Sequence, residues 1–78
     1  MSMCTAIVTL PDGTTRTYPR HGTTAQFVVY GRDAIAVRNN ELPGVAEWCA
    51  NEPGAQNVLP YWKKFGGEWS VLPVTYRT

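Results

Sequence analysis

Residues 58–72, VLPYWKKFGGEWSVL, carry the choice on which the fold turns. Val58, Tyr61, Trp62 and Phe65 fall at i, i+3, i+4 and i+7, one face of a helix, with Gly66 suited to the left-handed position just past its end. The competing reading is a hairpin closed by Gly66-Gly67, a pair favourable for the primed two-residue turns. That register sets Phe65 opposite Glu68, Lys64 opposite Trp69, Lys63 opposite Ser70 and Trp62 opposite Val71. Trp62, Lys64, Trp69 and Val71 then share a face, and Lys64 pairs with the Trp69 ring as a cation–π contact. Trp69-Ser70-Val71-Leu72 is strand-like, which favours the hairpin. Pro60 and Pro73 cannot donate to a ladder, so these strands are expected at an edge or to end at the prolines.

Working outward, Cys4 to Leu10 (CTAIVTL) alternates, with Ala6, Val8 and Leu10 on one face. Pro11-Asp12-Gly13 then reverses the chain: proline presets the first turn position, aspartate caps locally and glycine accepts positive φ. Thr14 to Tyr18 is the return strand, ended by Pro19-Arg20-His21-Gly22. Ala25 to Tyr30 reads as a third strand. Ala34 to Arg38 alternates like a strand, although Asp33 would cap a helix; Gly31 and Asp33 between two apolar runs favour a second hairpin. Leu42, Val45, Ala46 and Cys49 lie at i, i+3, i+4 and i+7, predicting one short helix capped by Asn40 and stopped by Asn51-Glu52-Pro53-Gly54. The order β-β-β-β-α-β-β predicts a single α+β domain over residues 1–78, a small, mainly antiparallel sheet of hairpins packed with one short helix.

Composition limits the function. Seventy-eight residues lie near the lower size limit for folding on one hydrophobic core, and 44% hydrophobic residues are too many for a disordered segment. A net charge of +1 argues against a dedicated duplex-DNA binder, which needs unopposed Lys and Arg facing phosphates. No apolar run reaches the ~20 residues of a membrane span, and MSMCTAIV lacks the basic and long apolar regions of a secretory signal, so a cytoplasmic location is expected. Cys4 and Cys49 with His21 fall short of a closed zinc site, so no metal or other cofactor is expected; the cysteines read as free thiols. His21 sits in a Pro-Arg-His-Gly turn, and neither a phosphate-cradling glycine motif nor a nucleophile–base pair is spelled out. The chain is therefore expected to be no enzyme and to hold no catalytic residue.

Recognition remains. Trp, Tyr and Arg are the residues most enriched at interface hot spots, and the chain has three, four and five of them, more rings than one thin core hides. Tyr61, Trp62, Lys63, Lys64 and Phe65 are the expected protein-binding residues, with Arg32 and Arg38 as peripheral charged contacts. The alternatives are single-stranded nucleic-acid binding, by stacking on the same aromatics beside Lys63 and Lys64, and a small structural homodimer. In size and organisation the chain resembles small phage or mobile-element accessory proteins, including anti-CRISPR inhibitors: single domains of this length, without catalytic signatures, whose opening residues (here Met1-Ser2-Met3-Cys4) lead straight into a strand. That resemblance implies a stoichiometric inhibitor that occludes a host protein complex in the host cytoplasm, and it names no target.

Overall fold

The computed structural model describes residues 3–77; Met1, Ser2 and Thr78 lie outside the described residues. Cys4–Thr9 (β1) and Thr15–Arg20 (β2) form the expected hairpin. Its turn closes with Gly13 N–H on the Leu10 carbonyl, Gly13 at φ 89°, and the Asp12 carboxylate accepting from both the Thr14 N–H and hydroxyl. Those bonds to the ionised form hold the Asp12 carboxyl below its usual range, the hydroxyl contributing most. β2 runs on through Pro19 instead of ending there. Leu10 N–H bonds to the Thr14 carbonyl, so strict alternation makes the Thr5–Pro19 pair a non-hydrogen-bonded one. The missing N–H of Pro19 then belongs to the free edge, where it removes no ladder bond.

Phe27–Arg32 (β3) confirms the third strand, starting two residues later than expected and continuing through Gly31. Beyond it, helix and strand are exchanged relative to the sequence reading. Ala34–Arg38 (α1) is a helix of five residues, not a strand: the Asp33 side chain accepts the Ala36 N–H at 2.8 Å, and Asn40, at φ 60°, ends it. Gly44–Cys49 (β4) is a strand, not a helix, pairing antiparallel with β3. A bulge explains the deceptive spacing. Tyr30 pairs with Val45 and Val29 with Glu47, leaving Ala46 as the extra residue. The bulge puts Val45 and Trp48 on one face of the sheet at a helix-like interval of three.

Asn51-Glu52-Pro53-Gly54 starts a helix rather than stopping one. Glu52–Lys63 (α2) is capped by Asn51, whose side chain accepts the Gly54 N–H at 2.8 Å. Pro53 sits in the first turn, where its missing N–H would have had no partner. The decisive stretch is thus helical as far as Lys63, and the Gly66-Gly67 hairpin does not form. Instead Phe65, Gly66 and Gly67 carry the chain into Glu68–Arg77 (β5), both glycines at positive φ. Lys64 is over Tyr61 at 5.8 Å, not over Trp69, whereas Trp62 and Trp69 do meet, ring centroids 5.6 Å apart.

The fold is α+β: the described residues form one antiparallel five-stranded sheet, in the order β2-β1-β5-β3-β4, with two helices rather than one. β5 changes partner along its length. Residues 68–73 pair with β3, and Val74 to Arg77 pair with β1. Pro73 sits at the changeover, just before β1 comes alongside, which is why a proline survives in a central strand. About this point the sheet curls until its two edges meet through side chains: Tyr18 of β2 packs edge-on against Trp48 of β4 at 5.8 Å, and the Arg20 guanidinium lies 4.1 Å from the Trp48 ring centroid.

The curl encloses Ala6, Val8, Val28, Tyr30, Leu72 and Val74. Burying the Val8 and Val28 side chains completely is worth about 1.5–3 kcal/mol each. On the opposite face α2 lays Ala55, Val58, Leu59 and Trp62, a full i, i+3, i+4, i+7 stripe, over Val29, Cys49, Trp69 and Val71. α2 packs on β3, β4 and β5; the outward sides of β1 and β2 carry the exposed Thr9, Thr15 and Thr17, β-branched and polar as a water-facing strand surface requires. Both cysteines are free thiols, Cys49 beneath α2 and Cys4 half-buried on β1. Among the described residues no helix is long and apolar enough to cross a membrane.

Candidate functional site

Three strand ends and two helices meet at one end of the molecule. The register pairs Gly31 with Gly44 and Arg32 with Glu68, so β3 ends beside the starts of β4 and β5. α1 follows β3 directly, and α2 finishes here as well, because the Ala34 N–H donates to the Phe65 carbonyl at 3.1 Å. The approach is close. A Cβ on Gly67 would strike the backbone of Arg32 and Asp33, and one on Gly66 would lie 3.0 Å from the Ala34 Cβ.

All seven residues expected to bind protein belong to this end. Tyr61 and Phe65 are 53% and 48% exposed, their rings edge-to-face at 5.6 Å. Lys63 and Lys64 are exposed, and so is Arg38 at the last position of α1. Two residues are occupied otherwise. Trp62 is half-buried against Trp69 and Phe65, its indole N–H donating to Glu47 Oε1 at 2.9 Å, so it fastens α2 to β4. Arg32 donates to the Glu41 carbonyl at 2.8 Å and stands 3.5 Å from the Glu68 carboxylate, tying together the starts of β4 and β5.

Sequence reasoning missed three apolar members. Leu42 is 76% exposed and Ile35 60% exposed, and Val37 also faces solvent. Leu42 was expected on the buried face of a helix, and Ile35 and Val37 in a strand. Asp33 as a cap, with Asn39-Asn40 six and seven residues later, was the available signal: it marks a helix too short to bury its apolar side chains. Of the six large hydrophobic residues most exposed in the described structure, five (Ile35, Val37, Leu42, Tyr61 and Phe65) lie at this end; the sixth is Met3.

The rest of the surface offers less. Among the described residues no cavity opens into the fold, and no three His, Cys, Asp or Glu side chains converge. The Trp69 indole N–H donates to the Gly66 carbonyl at 2.8 Å, and Trp48 is engaged by Arg20 and Tyr18. All three indoles therefore have work inside the fold. No family model matches the chain, and neither curated proteins nor solved structures yield a match.

Proposed function

We propose that the domain is a non-catalytic protein-binding module that docks through the end formed by α1, the C-terminus of α2 and the loop before β4, and that it acts as a stoichiometric inhibitor occluding a host protein complex. The observation that carries the docking reading is the gathering of Ile35, Val37, Leu42, Tyr61 and Phe65 on one exposed end of a domain with few apolar residues to spare. Apolar surface left in water forgoes about 25 cal/mol for every Å² that burial would remove, and contiguous patches of it mark interaction sites. The inhibitor role rests on the resemblance in size and organisation to phage accessory proteins.

Affinity capture with matched variants tests it. Ile35→Glu alters an exposed side chain and should leave the circular dichroism and melting unchanged while abolishing capture of the partner; Phe65→Glu, which also gives up ring contacts with Tyr61 and Trp62, should keep the circular dichroism, melt a few degrees lower and abolish capture as well. Thr17→Glu, on the threonine face, should capture as wild type does. Equal capture by all three variants would refute docking at this end.

Single-stranded nucleic-acid binding is the second reading, favoured by Tyr61 standing exposed beside Lys64. With the indoles engaged internally, Tyr61 and Phe65 are the two rings free to stack, fewer than the sequence suggested. An oligonucleotide titration at roughly 50 mM salt, where phosphate contacts are strongest, that leaves both ring environments unchanged by NMR would remove it.

A further inference from the structure

The free edges of the sheet, β2 and β4, come together with no ladder between them, and side chains alone close the seam. Pairing sets Arg16 beside Val8, Tyr18 beside Ala6 and Arg20 beside Cys4, so β2 lines the inner face with two guanidiniums about a phenol. The Arg20 guanidinium rests over Trp48, 4.1 Å from the ring centroid, which holds its planar fork in place. Behind them the Tyr30 hydroxyl is sealed from solvent, and no protein group meets it in hydrogen-bonding geometry; the residue as a whole is only 5% exposed. The Tyr18 phenol is its neighbour: burial raises the Tyr18 pKa, Tyr30 adds to the rise and Arg16 opposes it. Among the described residues no carboxylate stands within ion-pair distance of Arg16 or Arg20. The carboxylates keep their charges but lie elsewhere. Glu47 turns to Trp62 under α2, Glu52 begins α2, and Asp12 is held by Thr14 in the β1–β2 turn. Glu68, the one acid that strand alternation places on the inner face, sits at the far end of β5 beside Arg32.

We propose that the seam between β2 and β4 binds a phosphate group, which parts the Tyr18 and Trp48 rings, accepts from the Tyr18 and Tyr30 hydroxyls and faces the Arg16 and Arg20 guanidiniums. The site is independent of the docking reading. A carboxylate carries one charge and is satisfied by one guanidinium, whereas a phosphate monoester brings nearly two charges and three acceptor oxygens, matching two guanidiniums and two phenols. A buried hydroxyl without a partner is a standing cost, and the ligand removes it by supplying the acceptor. The closed seam shows no cavity, so binding is coupled to its opening, and with no backbone bonds across it only side-chain contacts need part.

Titrating O-phosphoserine into the domain, read in aromatic NMR spectra, tests the site. The Tyr18, Tyr30 and Trp48 rings should shift together and saturate, and acetate at equal ionic strength should move none of them. Inorganic phosphate run in parallel separates the sources: affinity equal to that of phosphoserine marks the free ion, weaker affinity an ester. Arg16→Gln should bind about tenfold more weakly, and Lys63→Gln, at the docking end, as wild type does. Tyr30→Phe keeps the ring and removes the unpartnered hydroxyl; it should also bind about tenfold more weakly, yet melt no lower than wild type. Shifts that fail to saturate in the millimolar range, or that survive Arg16→Gln and Tyr30→Phe unchanged, would overturn the site. Tyr30→Phe melting several degrees lower would overturn it too, because the hydroxyl would then have a partner within the fold. Saturation by acetate would overturn the choice of phosphate.

Discussion

Removing the Trp62 side chain separates its structural role from a docking role. In the structure the indole is half-buried among Leu59, Phe65 and Trp69, and its N–H reaches Glu47 on β4. Full truncation of a buried Trp costs about 3–5 kcal/mol, and partial exposure lowers that here to about 2–3 kcal/mol. A domain of 78 residues, at roughly 0.05–0.15 kcal/mol per residue, has about 4–12 kcal/mol in total. Trp62→Ala should therefore lower the melting temperature by about 10–20 °C, at the 4–8 °C per kcal/mol usual for this size. Trp62→Phe keeps the ring packing and loses the hydrogen bond; with the acceptor charged but partly solvated, its cost should be about 1 kcal/mol. Urea unfolding followed by far-ultraviolet circular dichroism measures both. A cycle combining Trp62→Phe with Glu47→Ala isolates the pair, whose coupling should reach at least about 0.5 kcal/mol. Trp62→Ala melting within about 2 °C of wild type while partner capture disappears would refute the assignment, because the ring would then belong to the docking surface.

Gly67→Ala should destabilise by at least about 1–2 kcal/mol, since it combines a left-handed backbone at φ 89° with a Cβ driven into the Arg32 carbonyl; thermal melting reads the loss. Asn51→Ala removes the side chain that caps α2 and should cost about 1 kcal/mol in urea unfolding, with Asn51→Asp close to neutral. Tyr18 gives an alkaline prediction: burial, with the neighbouring Tyr30 adding to it, raises its phenol above the ordinary value of 10.0. The folded state then holds that proton more tightly than the unfolded chain, so its contribution is complete below pH 10.0 and is lost as pH rises through the folded value. Tyr18→Phe should flatten that part of the stability profile, and an unchanged alkaline slope would show that Tyr18 is not its source.

How much of this could be read beforehand follows from how local each determinant is. The β1–β2 hairpin was legible because Pro11-Asp12-Gly13 encodes its turn within three residues, and β3 and β5 were legible from β-branched and aromatic runs. The middle of the chain was misread where a tertiary feature imitated a local one. The bulge at Ala46 gave a strand the spacing of a helix. In α2, Pro53-Gly54 and Pro60 looked like breakers, yet Pro53 falls in the harmless first turn, and the packing of Ala55, Val58, Leu59 and Trp62 outweighs the penalty at Pro60. The residues proposed to dock were picked out for a partly mistaken reason: Tyr61 lies in the last turn of a helix, not in a hairpin strand, and Phe65 follows just past the end of that helix. Leu42, Ile35 and Val37 depended on the exchanged assignments and could not be found while those stood.

β5 leaves the ribosome after every other element of the domain, yet it is the strand on which the two halves of the sheet converge. The β1–β2 and β3–β4 pairs have no ladder to each other until Glu68–Arg77 slides between them. Joining the halves must therefore wait for synthesis to reach Val74 to Arg77: a chain cut short before Pro73 would keep Glu68–Leu72 on β3 beneath α2 but leave the β1–β2 hairpin unattached, with Ala6 and Val8 in water. The final commitment to structure thus rests on long-range pairing, the slowest kind to find.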